Sequence, residues 1–196
     1  MKIDIPREVR VIVIEGIAGS GKTTLKGYLK DQFHDRVIHE YTEQELLLGW
    51  KHIHVPHVSA LRVDFINLIL DELERNLARE ENSIFILERF HLSMKLLEWE
   101  FENNFSERYQ KIVERLRKMP VYILIAQLDV PQIRERMHHR ERNKQWIDYC
   151  EDKLKLRGYN DLELLSIDQQ KAFFEAAAGQ GIPYCGVHVE LNGIFP

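Results

Sequence analysis

Between residues 16 and 24 the chain reads Gly16-Ile-Ala-Gly-Ser-Gly-Lys22-Thr23-Thr24, which satisfies G-x-x-x-x-G-K-[ST] in full. Glycines let the backbone turn so that successive N–H groups point inward at anionic oxygens. A helix starting at the end of the loop adds its partial positive charge. In a phosphate-binding loop of this kind Gly16, Ala18, Gly19, Ser20 and Gly21 cradle the phosphates and Lys22 reaches the β- and γ-phosphates. The Thr23 hydroxyl ligates Mg²⁺, and Thr24 bonds a phosphate nearer the nucleoside. The expected ligands are ATP, or a similar nucleotide, and Mg²⁺.

Such a loop must sit between a strand and a helix, and the flanking pattern provides both. Residues 9–15 (VRVIVIE), 83–88 (SIFILE), 121–128 (VYILIAQL) and 184–191 (YCGVHVEL) read as buried parallel strands, mostly short apolar runs rich in β-branched residues. Residues 36–41 supply a shorter fifth strand. Helical patterns cover 22–33, 58–79 and 92–118, the last with a break point near Asn103-Asn104. Pro131 suits the first position of a helix over 132–142, and Gly158 ends one over 146–156. Ser166 or Asp168 caps a helix running to residue 178. Strands alternating with helices predict an α/β fold of the P-loop NTPase type, with a parallel sheet of about five strands flanked by helices. Ligands of such sheets sit at the carboxyl ends of the strands, here just after residues 15, 41, 88 and 128.

Chemistry-bearing residues occur at those ends. Arg89 is placed to hold the acceptor or the γ-phosphate, and Glu88 to order Mg²⁺ through water. The plainer reading of the pair is a surface ion contact worth little. After the second strand, Glu40 or Glu43 is a candidate general base if the acceptor is a hydroxyl. Trp50, Tyr41 and Phe65 are candidates for stacking on an acceptor ring, although such aromatics more often belong to a core. Arg62 falls in the middle of an apolar stripe of Leu61, Phe65, Ile66, Ile69 and Leu73, where a buried guanidinium must find an anion. Substrate binding, a structural ion pair and a snorkelling side chain all satisfy that requirement.

A phosphate loop alone does not choose among a kinase, a GTPase switch and a motor. The N-K-x-D base reader of a GTPase has one near match, Asn143-Lys144-Gln145-Trp146, which lacks the aspartate. No D-x-x-G follows the third strand. A chain of 196 residues is short for a transporter or ring ATPase and fits a small-molecule kinase. The run EGIAGSGKTT at 15–24 resembles the phosphate loop of thymidylate kinases and their deoxynucleoside kinase relatives. Glu88-Arg89-Phe90, followed by Ser93, resembles the Asp-Arg or Glu-Arg-Ser element that ends the equivalent strand in those families. Leu128-Asp129-Val130-Pro131, then Arg134, Arg136, Arg140 and Arg142, resembles their strand-to-lid passage. These elements occur in the same order over residues 9–142. The resemblance implies an arginine lid over about 134–146, with Arg136 and Arg140 closing on the donor phosphates, and substrate contact by Arg62. It also implies a donor base near Asn192-Gly193. The segment His39-Glu40-Tyr41-Thr42-Glu43 matches neither the Arg-Glu-Pro-Gly-Gly loop of thymidylate kinases nor the Glu-Pro of deoxynucleoside kinases, which leaves the acceptor open.

The bulk numbers are those of one domain spanning 1–196, with 44% hydrophobic and 30% charged residues. A net charge of −4 gives no expectation of a nucleic-acid polymer or a membrane as partner. Cys150 and Cys185 lack metal-ligand spacing and read as reduced thiols. His138 and His139 are adjacent and do not share a helical face as a metal pair would. The charged start MKIDIPREVR has no apolar core, and no run approaches the roughly 18 residues of a membrane span, so the expected location is the cytoplasm. The expectation is thus a kinase moving the γ-phosphate of ATP to a small-molecule acceptor, alone or as a homodimer. The acceptor is a nucleoside, a nucleoside monophosphate or a similar compound. The alternative is a regulatory module that binds and hydrolyses nucleotide without an acceptor.

Overall fold

The structure, a computed structural model, describes residues 3–46, 58–96, 105–137 and 144–189. The five apolar runs form five strands: β1 (Val11–Glu15), β2 (Val37–Tyr41), β3 (Ser83–Glu88), β4 (Val121–Gln127) and β5 (Tyr184–His188). All pair in parallel, in the order β2-β3-β1-β4-β5. Every residue of β1 and β3 is buried, as continuous apolar strands in the middle of a parallel sheet must be.

Side chains alternate across a strand, so each central strand feeds two cores. Val11 and Val13 of β1 join Phe85, Leu87, Ile123 and Ile125 on one face. Ile12 and Ile14 join Ile84, Ile86 and Leu124 on the other. Helix α1 (Lys22–Gln32) covers the second face through Leu25 and Leu29. The first face is covered by α3 (Val58–Arg79), α4 (His91–Leu96), α5 (Phe105–Leu116) and α8 (Leu162–Ala178). Short α2 (Glu43–Leu46), α6 (Val130–Met137) and α7 (Lys144–Arg157) complete the described helices.

Several boundaries differ from expectation for local reasons. Of the helix expected over 92–118 with a break point near Asn103-Asn104, α4 and α5 are described, and residues 97–104, with that break point, lie outside the described ones. Asp161, not Ser166 or Asp168, caps α8: its carboxylate accepts from Glu163 N at 2.7 Å. Ser166 instead back-bonds to Leu162 O inside the helix. The buried stripe of α3 is Val63, Ile66, Ile69, Leu70 and Leu73, so Leu61 (41% exposed) lies outside it. Arg62 and Phe65 are half-buried at its margin.

The register brings the strand ends level. Tyr41 lies opposite Leu87, Glu88 opposite Ile14, and Glu15 opposite Ile125. The connections leaving β1 and β3 diverge here to opposite faces, which opens a crevice between the two strands. Leu73→Ala, in the first core, is expected to lower unfolding free energy by about 2–5 kcal/mol, whereas Leu68→Ala on the exposed side stays within about 0.5 kcal/mol. Denaturant titration of both variants checks this.

Candidate active site

The loop from Gly16 to Gly21 follows β1 directly. Gly16 has φ +140°, and a Cβ there would lie 2.4 Å from Ala126 O and 2.8 Å from Ser20 Oγ, so only glycine fits. Gly21, at φ +85°, packs against Val189 and starts α1. The Lys22 ammonium folds back over the loop and donates to Ile17 O at 2.8 Å. It is 5% exposed. Burial lowers its pKa from the ordinary value to about 7, the nearby Arg89 guanidinium pushes the same way, and Glu43, Glu88 and Glu15 oppose it. Buried Ser20 Oγ has no hydrogen-bond partner. A charge short of partners above inward-turned glycines suits an oligophosphate.

The end of β3 faces this loop. Glu88 Oε1 accepts from the Thr23 hydroxyl at 3.1 Å, and its Oε2 lies 3.1 Å from Lys26 Nζ. A hydroxyl and a carboxylate in contact suit a hydrated divalent cation, which keeps most of its waters. Arg89 has φ +59°, the one described non-glycine residue in the left-handed region. Its Nε lies 2.9 Å from Glu43 Oε2, an ion pair without hydrogen-bond alignment. Glu43 owes its place to a capping box at the start of α2. Thr42 N donates to Glu45 Oε2 at 2.7 Å, and Glu45 N donates to Thr42 Oγ1 at 3.3 Å. The Thr42 amide and hydroxyl, both donating to Glu45 Oε2, hold the Glu45 carboxyl below its usual range.

The remaining candidates separate. Glu40, on β2, lies 2.5 Å from Lys30 Nζ and 3.7 Å from Lys26 Nζ, a lysine-bound position on the α1 side. Tyr41 packs against the core, and burial together with a hydrogen bond to Glu72 pushes its phenol well above the ordinary value. Phe65 also packs against that core. Arg134, in the segment expected to form the lid, makes a two-pronged ion pair with Glu163 of α8 at 2.8 and 3.0 Å, tying α6 to α8. Arg136 is half-buried on α6. Trp50, Arg140, Arg142, His138, His139, Asn192 and Gly193 lie outside the described residues.

Of the two carboxylates expected after β2, Glu43 is the one that the Thr42-x-x-Glu45 box sets beside Arg89. One residue at the site was not anticipated from sequence. Glu15, fully buried, accepts from Phe90 N, Leu92 N and Ser93 N at 2.8, 3.1 and 3.2 Å, and from the Ser93 hydroxyl. Burial raises its pKa, while the Ser93 hydroxyl and the backbone amides pull it back. In the sequence Glu15 shows as the carboxylate that ends an apolar strand and opens the EGIAGSGKTT run.

The family model described as AAA domain matches residues 12–157. This chain belongs to the AAA domain family. The match runs from β1 through α7 and so takes in the phosphate loop, Glu43, Glu88 and Arg89. No curated protein sequence matches the chain. Among solved structures, thymidylate kinase from Candida albicans superposes with a TM-score of 0.53 at 15% identity, covering 93% of this chain and 85% of that one. That likeness shows a shared fold. Thymidylate kinase from Ehrlichia chaffeensis has a TM-score of 0.48 at 16% identity, covering 91% and 92% of the two chains. Deoxyadenosine kinase from M. mycoides with bound dATP has a TM-score of 0.49 at 12% identity, covering 92% and 93%. This AAA domain thus has a parallel five-stranded P-loop fold similar to that of a nucleotide kinase. Among the described residues no helix is long and apolar enough to cross a membrane, and no cluster of histidine, cysteine or acidic side chains could hold a metal alone.

The depressed Lys22 value has a measurable consequence. Phosphate oxygens favour the ammonium and raise its pKa, so binding takes up a proton above pH 7, and affinity falls as pH rises, by at most about tenfold per unit. Calorimetry of ATP binding near pH 8.5, in buffers of different ionisation enthalpy, is expected to show uptake of about one proton, lost in Lys22→Met. Zero uptake by the unaltered protein contradicts the assignment.

Proposed function

We propose that this chain is an ATP-dependent phosphotransferase that moves the γ-phosphate to a hydroxyl of a nucleoside or a similar small acceptor. The observation that carries the reading is the Glu43 carboxylate, 2.9 Å from Arg89 and within the field of Lys22. A carboxylate in that place is a proton acceptor beside the phosphate site. It also repels a second dianion. A nucleoside monophosphate would bring its phosphate against Glu43, whereas a neutral hydroxyl meets a base. Glu43 is thereby preferred over Glu40, whose charge is already engaged by two lysines.

In this reading the acceptor hydroxyl gives its proton to Glu43 as its oxygen attacks the γ-phosphorus. The bond from that phosphorus to the β-phosphate oxygen breaks, and the electron pair leaves with ADP. Lys22 and Arg89 hold the charge that spreads over the moving phosphoryl group. Mg²⁺, held by Thr23 and through water by Glu88, would neutralise the donor phosphates. Arg136 and Arg140 are proposed to close over the donor from the segment after β4, and Arg62, Phe65, Tyr41 and Trp50 to line the acceptor side. Closure would exclude water and favour transfer over hydrolysis.

The test is acceptor-dependent ADP formation across nucleosides and nucleoside monophosphates. Nucleosides are expected to support turnover and monophosphates not. Glu43→Gln is expected to lower kcat by about 10²–10⁴-fold with little change in the KM for ATP. Glu40→Gln, which disturbs a partly exposed ion pair, stays within about threefold. Equal turnover with monophosphates, or full activity in Glu43→Gln, contradicts the hydroxyl acceptor. ADP formation at one rate regardless of acceptor favours the hydrolysing regulatory module.

A further inference from the structure

Glu15 is spent on something other than stability alone. It ends β1, is fully buried, and adjoins the first glycine of the phosphate loop. A carboxylate taken out of water is costly unless every lone pair is used. Here four donors converge on it: three backbone amides and the Ser93 hydroxyl, all from residues 90–93. Those residues follow Arg89, whose own N–H donates to Ile14 O at 2.9 Å. The chain therefore keeps the β1 pairing up to Arg89 and then wraps around the carboxylate. Arg89 is the hinge, held at φ +59°, where a side chain with a Cβ is disfavoured. A left-handed arginine persists only where its neighbours over-determine it, and the Glu15 bonds lie directly beyond it.

We propose that Glu15 is a positioning residue for Arg89. By gathering the amides of Phe90, Leu92 and Ser93 it fixes the left-handed turn that aims the Arg89 guanidinium at Glu43 and the phosphate site. Without it the backbone at residue 89 relaxes to negative φ and the guanidinium swings away. The inference rests on the reading of Arg89 as a γ-phosphate ligand.

Glu15 also adjoins Gly16, so it could act through the phosphate loop instead, and a double-mutant cycle separates the routes. The measured quantity is the affinity for the fluorescent probe mant-ATP with Mg²⁺. Arg89→Ala and Glu15→Ala are each expected to weaken binding by roughly tenfold, and the double variant to be no weaker than Arg89→Ala within about twofold. Glu15→Gln keeps an oxygen for the three amides and is expected to stay within about threefold of the unaltered protein. If Glu15→Ala does not fold, Glu15→Asp, which withdraws the carboxylate by one methylene, takes its place in the cycle. Loss by the same factor in both backgrounds places the effect in the loop and overturns this inference while leaving the proposed function standing. Unchanged binding in Arg89→Ala removes Arg89 from the phosphate site, and both readings of it fall.

Discussion

A buried ammonium at the edge of a parallel sheet is the constraint around which the rest of the site is arranged. Among the described residues Lys22 donates to one carbonyl, it meets almost no water, and burial pulls its pKa down to about 7. The carboxyl edge answers with three carboxylates, one from the end of β1, one following β2 and one ending β3. Each is already engaged: Glu15 by amides, Glu43 by Arg89, Glu88 by Thr23 and Lys26. None forms a closed pair with Lys22 in place of phosphate. The ammonium thus remains available to a ligand that brings its own negative charge, which a nucleotide does.

The sheet makes this arrangement possible. Continuous burial of β1 and β3 fixes their register, and that register sets the phosphate loop beside Glu88 and Arg89. Glu43 comes from a separate device, a four-residue helix whose capping box orients its first turn. Strand pairing sets the phosphate-loop edge and local capping sets Glu43, so the two can vary independently. That division is consistent with a phosphate loop and a Glu-Arg element resembling kinase families beside a loop after β2 that matches neither.

Much of this was legible in the sequence because buried parallel strands announce themselves as apolar runs. All five strands, the loop and the Glu88-Arg89 edge lie where periodicity and the strand-end rule put them. What escaped was local or three-dimensional. The α3 stripe keeps Ile66, Ile69 and Leu73 as expected, but Val63 and Leu70 take the buried places of Leu61 and Phe65, because contact with the core decides which apolar residues of a helix turn inward. The partner of Arg134, Glu163, lies 29 residues further on, so that contact is not visible in the local sequence. Which of Glu40 and Glu43 the α1 lysines reach is a contact across elements that no local pattern shows. Glu15 opens the EGIAGSGKTT run, but its partners are three backbone amides and Ser93, 78 residues away, which no local pattern shows.

Phosphotransfer and hydrolysis differ in whether the γ-phosphate passes to an acceptor hydroxyl or to water. Phosphorus NMR of the protein with Mg·ATP and a mixture of nucleosides follows the γ-phosphate directly. For the proposed phosphotransferase its signal is expected to be replaced by a phosphomonoester resonance in step with ADP. Conversion to inorganic phosphate alone, at a rate the nucleosides do not change, would contradict it.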